Sequence, residues 1–209
     1  GVITEIINEA QSVTNKYCGS EPAFEPKQLS YDELASLCSE VFIALHGRPG
    51  EDGAIQQKLD AYGIAYNGSG VNSSRQTINK YETNQKLRNA GFLVADHAIV
   101  TKELWQSDKE KALLEIEAMG YPLIAKPVDE GCSSAVLKIT NRDELDAYGT
   151  LTFRNGAVRD SNSETVLQLN PKDEFPSKGY FLVEKFIDRQ GASHFLEITG
   201  GMLTHTEED

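Results

Sequence analysis

Leu45-His46-Gly47-Arg48-Pro49-Gly50-Glu51-Asp52-Gly53-Ala54-Ile55-Gln56 is the stretch that decides how this chain is read. It closes the apolar run Val41-Phe42-Ile43-Ala44-Leu45, and residues 54–62 carry a helical pattern. An apolar strand, a glycine-rich loop and a helix in that order make the repeating unit of an α/β sheet. The glycines and Pro49 suit a tight loop whose backbone comes close to a ligand, and Asp52 is placed to cap the helix that follows.

Toward the amino end, Ser30 followed by Glu33 has the form of a capping box, which predicts a helix over 31–39 before a strand over 40–45. Val2, Ile6, Ile7, Ala10 and Val13 recur at helical spacing up to about Tyr17, and 18–28 lacks any period. Toward the carboxyl end, 64–66 reads as a short strand and Asn67-Gly68-Ser69-Gly70 as a break. A lobe boundary is therefore expected near residue 72. The fold class expected is α/β: a partial doubly wound lobe over 1–72, then an α+β lobe of helices against an antiparallel sheet over 73–209. That second lobe is predicted to hold helices over 74–90, 107–119 and 141–148. Its strands are predicted over 98–101, 122–126, 136–139, 165–168, 180–183 and 195–199, with 202–204 extending the last. The pair 122–126 and 136–139 reads as a hairpin around a small-residue loop, while 149–178 is polar with one strand in it.

Composition excludes several classes. Hydrophobic residues make up 39% of the 209 and charged residues 25%, which supports a packed core rather than disorder. The net charge of -12, from 20 Lys+Arg against 32 Asp+Glu, repels nucleic acid and anionic lipid surfaces. No apolar run approaches the ~20 residues that cross a bilayer. Neither a membrane nor a nucleic-acid partner is expected, and a cytoplasmic location is. Cys18, Cys38 and Cys132 are odd in number and lack C-x-x-C spacing, so reduced thiols are expected. The acidic Thr206-Glu207-Glu208-Asp209 directly follows a strand-like segment, so the chain reads as a piece of something longer.

Four sites carry candidate chemistry. Lys126 ends the apolar segment Leu123-Ile124-Ala125-Lys126-Pro127, where the sheet would fix its direction toward a phosphate; a snorkelling surface lysine is the plain alternative. The small residues at 131–135 leave backbone N–H groups accessible for a loop that folds over a polyphosphate. Glu184 and Lys185 end the strand Phe181-Leu182-Val183, where a carboxylate beside a backbone N–H suits a purine edge as well as a solvated ion pair. Lys80, early in a helix, is weak by itself.

Taken together these segments resemble the D-alanine–D-alanine ligase family of the ATP-grasp superfamily. Residues 45–56 match its L-H-G-x-x-G-E-D-G-x-I-Q signature almost letter for letter. The likeness runs on through residues 63–70, Asn79-Lys80, residues 120–127, Glu130-Gly131-Cys132-Ser133 and residues 183–187. The resemblance implies that Lys80 and Lys126 hold the ATP phosphates and that the loop with Glu130, Cys132, Ser133 and Ser134 closes over them. It implies further that Glu184 and the backbone of Lys185 and Ile187 hold adenine, and that His46 and Glu51 border the first amino acid.

The chemistry so implied is ATP-dependent ligation, D-alanine to D-alanine, through an acyl phosphate, for cell-wall precursor synthesis. It needs ATP and Mg²⁺, with the magnesium ligands expected outside this chain, so the chain alone is expected to be inactive. Small-molecule substrates are the expected partners, and a homodimer is left open. Cys132 and Ala135 replace a Ser and a Gly of the usual E-G-S-S-x-G loop, Asn79 stands where an acid is common, and no ribose ligand carries over near Gly191 or His194. The rival readings are a non-catalytic nucleotide-binding relative, or a ligase with another second substrate.

Overall fold

The computed structural model describes residues 8–9, 12–13, 15–16, 27–131, 133–189, 191–198 and 200. The contacts group the chain into two compact units, one of residues 1–42 and 58–67, the other of 43–57 and 68–209. The chain passes between them within one helix, Ala54–Ala61. In the smaller unit, the described residues 8, 9, 12, 13, 15 and 16 are helical and exposed, in keeping with a helix near the amino end. The remainder of that helix and most of 18–28 lie outside the described residues.

Helix α1 (Tyr31–Leu37) starts at a complete capping box: the Glu33 amide donates to Ser30 Oγ at 3.2 Å, and Ser30 N–H donates to Glu33 Oε2 at 2.8 Å. Strand β1 is only Glu40–Val41, paired in parallel with β2 (Ala65–Tyr66). The strand expected over 40–45 is thus shorter. The pairing ends with the two-residue partner, and Phe42 and Leu45 are left exposed without neighbours to bury them.

Helix α2 (Ala54–Ala61), which belongs to the larger unit up to Gln57 and to the smaller from Lys58, is entered through Asp52, whose Oδ1 accepts from the Ala54 amide at 3.0 Å. The single helix expected over 74–90 is instead two, α3 (Val71–Ile78) and α4 (Lys80–Asn89). Asn79 divides them because its side chain accepts from the Glu82 amide at 3.0 Å and so caps the second helix. The helix expected over 107–119 is α6 (Lys109–Glu117), which Asp108 caps through the Lys111 amide, and a further helix not expected from the sequence, α5 (Lys102–Ser107), precedes it. Both boundaries fall on a residue whose short polar side chain competes for backbone N–H groups, a local effect that apolar periodicity does not register.

Strands β3 (His97–Thr101), β4 (Leu123–Lys126), β5 (Leu137–Ile139) and β6 (Tyr180–Lys185) form one antiparallel sheet in the order β3-β6-β4-β5. Alternation divides its faces. Leu123, Ala125, Phe181, Val183 and Val100 are buried in the core with α7 (Arg142–Thr152) and the α5–α6 pair. Tyr148, Phe153, Phe175, Phe181 and Trp105 interlock there, with Tyr148 and Phe181 ring centroids 4.9 Å apart.

The polar 149–178 stretch is anchored to this core. Phe175 is buried, and the Arg154 guanidinium spans the carbonyls of Leu151 at 2.6 Å and Phe175 at 2.7 Å. The strand expected over 165–168 is corrected to a helix, α8 (Ser161–Val166), which Asp160 caps by accepting from the Ser163 amide at 2.7 Å. Here the cap outweighs the β-propensity of Thr165 and Val166. Residues 195–198 are not a strand either: Phe195, Leu196 and Ile198 are exposed and no described strand pairs with them. Thr199 and 202–204 lie outside the described residues.

Candidate active site

The opposite face of the sheet carries the candidate chemistry. Register pairs Ile124 with Glu184, Lys126 with Leu182 and His97 with Glu184, so these side chains share the face turned away from the core. Lys126 and Glu184, on adjacent strands as expected, form an ion pair at 2.5 Å with side chains 19% and 14% exposed. Asn84, one turn into α4, donates its amide to the other carboxylate oxygen of Glu184 at 2.8 Å. Tyr81 of the same helix packs edge-on against His97, centroids 5.6 Å apart. Asn84 and His97 were not singled out by sequence reading. Neither sits in a motif, and only the strand register and the docking of α4 bring them to Glu184.

Lys80 owes its place to the Asn79 break, which makes it the first residue of α4. Its backbone N–H donates to Val128 O at 2.9 Å, while its ammonium reaches Val128 O at 3.5 Å and donates to Glu130 O. Burial, and then the nearby Lys126 ammonium, pull the Lys80 pKa below the ordinary lysine value, against the opposing pull of Asp129, Glu130 and Glu184. Two ammonium groups from different elements are thus held close enough to repel. A polyphosphate anion fits between such groups because it would relieve that repulsion. Among the described residues, no group of three or more His, Cys, Asp or Glu is placed to hold a metal ion.

The loop after β4 is tied at both ends. Lys178, from the end of the polar stretch, pairs with Asp129 at 3.1 Å and with Glu130. At the far end Tyr148 Oη donates to Ala135 O at 2.8 Å. Ser133 and Ala135 both have positive φ, 56° and 50°, the region in which the glycine usual at position 135 is at ease. The Ser134 amide donates to Gly131 O at 3.0 Å. Cys132 lies outside the described residues.

Lys185 has a structural task. Its ammonium donates to Met119 O at 3.0 Å and Gly120 O at 2.6 Å, closing the carboxyl end of α6, and its N–H donates to Asp96 O at 2.8 Å. Ile187 is exposed.

In the 46–53 loop, Glu51 closes the turn on itself. It accepts from the Gly47 amide at 2.7 Å and lies 3.3 Å from His46 Nδ1. Glycine is required there by close approaches within the chain itself. A Cβ at Gly50 would lie 2.5 Å from Leu45 Cβ, and one at Gly53, where φ is +84°, would lie 2.8 Å from Val71 O.

An antiparallel sheet with helices on it, two convergent lysines and a small-residue loop after the first hairpin strand define an ATP-grasp nucleotide-binding fold. The family described as D-ala D-ala ligase C-terminus matches residues 87–158. The D-alanine–D-alanine ligase of Dechloromonas aromatica (strain RCB) is 40% identical over 125 residues, covering 60% of this chain and 39% of that protein. The enzyme of the same name from Leptospira interrogans serogroup Icterohaemorrhagiae serovar Lai (strain 56601) is 38% identical over 195 residues, covering 84% of this chain and 55% of that protein. Among solved structures, the D-alanine–D-alanine ligase from Bacillus anthracis complexed with ATP aligns with a TM-score of 0.52 at 29% identity, over 75% of this chain and 43% of that one. The chain belongs to the D-alanine–D-alanine ligase family, and it spans 39% and 55% of the two curated relatives.

Proposed function

We propose that the protein of which this chain is a part is an ATP-dependent carboxylate–amine ligase that joins D-alanine to D-alanine for the cell wall. The observation that carries this reading is the convergence of Lys80 and Lys126 at one end of the sheet, beside a small-residue loop, in a chain of this family. Lys80 and Lys126 bind the phosphates, and the loop with Glu130, Cys132, Ser133 and Ser134 closes over them. Glu184 and the backbone of Lys185 and Ile187 take adenine, and His46 and Glu51 border the first amino acid. Residues 1–72 and 73–209 stand as the two lobes, and Mg²⁺ is held by residues outside this chain.

In this reading the γ-phosphoryl group passes to a carboxylate, and an amine then displaces phosphate from the acyl phosphate. Lys80 and Lys126 contribute fixed positive charge, and the closed loop keeps water from the acyl phosphate. Among the described residues no helix is long and apolar enough to cross a membrane, in keeping with a cytoplasmic site of action. No observation favours the non-catalytic reading. The test is ADP release by the full-length protein with ATP and D-alanine, with D-serine and D-lactate as separate second substrates. D-alanine-dependent ADP release with formation of the dipeptide is expected; a protein that binds ATP yet releases no ADP with any of these would overturn the proposal.

A further inference from the structure

Asp129 belongs to no motif, yet both oxygens of its carboxylate face cations from distant segments. One oxygen lies 2.8 Å from Arg48 Nη2 of the 46–53 loop and the other 3.1 Å from Lys178 Nζ at the end of the 149–178 stretch. Arg48 in turn holds Asp52 at 3.1 Å, and Lys178 also holds Glu130. Both residues flanking Asp129 offer their carbonyl oxygens to Lys80, Val128 to its N–H and both to its ammonium. Three segments distant in sequence therefore meet at one carboxylate whose neighbours seat a lysine.

We propose that Asp129, clamped between Arg48 and Lys178, is a positioning residue that fixes the Val128 and Glu130 carbonyls and so aims the Lys80 ammonium. The physical reason lies in the peptide geometry. A side chain held on one side by the hydrogen bond from Arg48, and on the other by an ion pair with Lys178 in which Asp129 Oδ1 completes no hydrogen bond, restrains its own Cα, and the planar peptide units on either side inherit that orientation. The 46–53 loop and the polar 149–178 stretch thereby act on a phosphate-side lysine without touching the nucleotide. The consequence for ATP rests on Lys80 being a phosphate ligand; the positioning itself does not.

The experiment reads Lys80 directly, by NMR titration of its labelled side chain in Asp129→Asn, Asp129→Glu, Arg48→Gln and Lys178→Gln, with no nucleotide present. The charged groups acting on it are Lys126, Asp129, Glu130 and Glu184. Two effects of Asp129→Asn have opposite sign. Loss of one negative charge alone lowers the Lys80 pKa further. Release of the ammonium from its half-buried seat removes the burial penalty and raises the pKa toward that of free lysine.

The expected result is a rise in Asp129→Asn, smaller rises in Arg48→Gln and Lys178→Gln, and recovery in Asp129→Glu. A fall, or no change in all four folded variants, overturns the proposal. If Asp129→Asn fails to fold, Asp129→Ser, which removes the same negative charge and carries the same two opposing effects, decides by the same sign; Arg48→Gln and Lys178→Gln cannot, because losing a cation raises the Lys80 pKa by charge alone. ATP affinity of the same set, measured separately, is expected to drop about tenfold with Asp129→Asn; a rise in Lys80 pKa with unchanged affinity would leave the positioning intact and refute the phosphate role of Lys80.

Discussion

Replacing Lys126 by Met tests the Lys126–Glu184 pair at the centre of the candidate site. Both side chains are largely buried, at 19% and 14% exposure, so removing the ammonium strands a carboxylate in a poorly solvated place. Breaking a buried pair in this way costs about 3–5 kcal/mol. Asn84 still donates to Glu184 at 2.8 Å and shields part of the charge, which brings the expected cost to about 2 kcal/mol. Glu184→Gln alone should cost less, about 1 kcal/mol, because the freed lysine stem can swing its charge into water. Lys126→Met with Glu184→Gln removes both charges and should also cost only about 1 kcal/mol, leaving a coupling of about 2 kcal/mol between the sites. Urea denaturation of the four proteins, compared at constant slope, measures this. Additivity within about 0.5 kcal/mol would refute the reasoning and reduce the pair to a surface contact. In the full-length protein Lys126→Met should also lower turnover about 10²–10³-fold, the effect of losing one preorganised donor.

Gly149→Ala should destabilise despite a helix-propensity gain of about 1 kcal/mol, because the new Cβ would meet Trp105 ring atoms at 2.3 and 2.4 Å. A net loss of about 2 kcal/mol, relieved by Trp105→Phe, is expected in urea denaturation. Tyr148→Phe removes the bond to Ala135 O and should cost about 1–2 kcal/mol, with faster hydrogen exchange at 134–136; unchanged exchange would show that the loop needs no such anchor. Because the Lys80 pKa is lowered in the folded chain, the unfolded chain binds more protons between the two values. Stability should therefore rise with pH through that interval and level off above the unfolded pKa. Nucleotide binding at a pH between the lowered Lys80 pKa and the ordinary lysine value should take up protons as phosphate restores the Lys80 charge, which calorimetry in buffers of different ionisation enthalpy would detect and Lys80→Met would abolish.

What the sequence by itself determined was local or carried by short motifs. The Ser30–Glu33 box, the Asp52 cap, the hairpin strands around 130–135 and the apolar β6 run are readable because each depends on residues within one or two turns. The signature at 45–56 and Lys80, Lys126 and Glu184 were legible as a family pattern. Only the tertiary structure decided which groups those residues meet. Asn79 splits a helix that periodicity joined, Asp108 separates the unexpected α5 from α6, and Asp160 turned an expected strand into a helix, since a capping bond competes with propensity on nearly equal terms. The Lys126–Glu184 pair, its Asn84 support and the meeting of Arg48, Asp129 and Lys178 span 58, 100, 81 and 49 positions; the first three separations are carried by the bonds themselves, and the last is 178 minus 129. Contacts at such range depend on strand register and on the packing of whole helices, and no local pattern of residues encodes either.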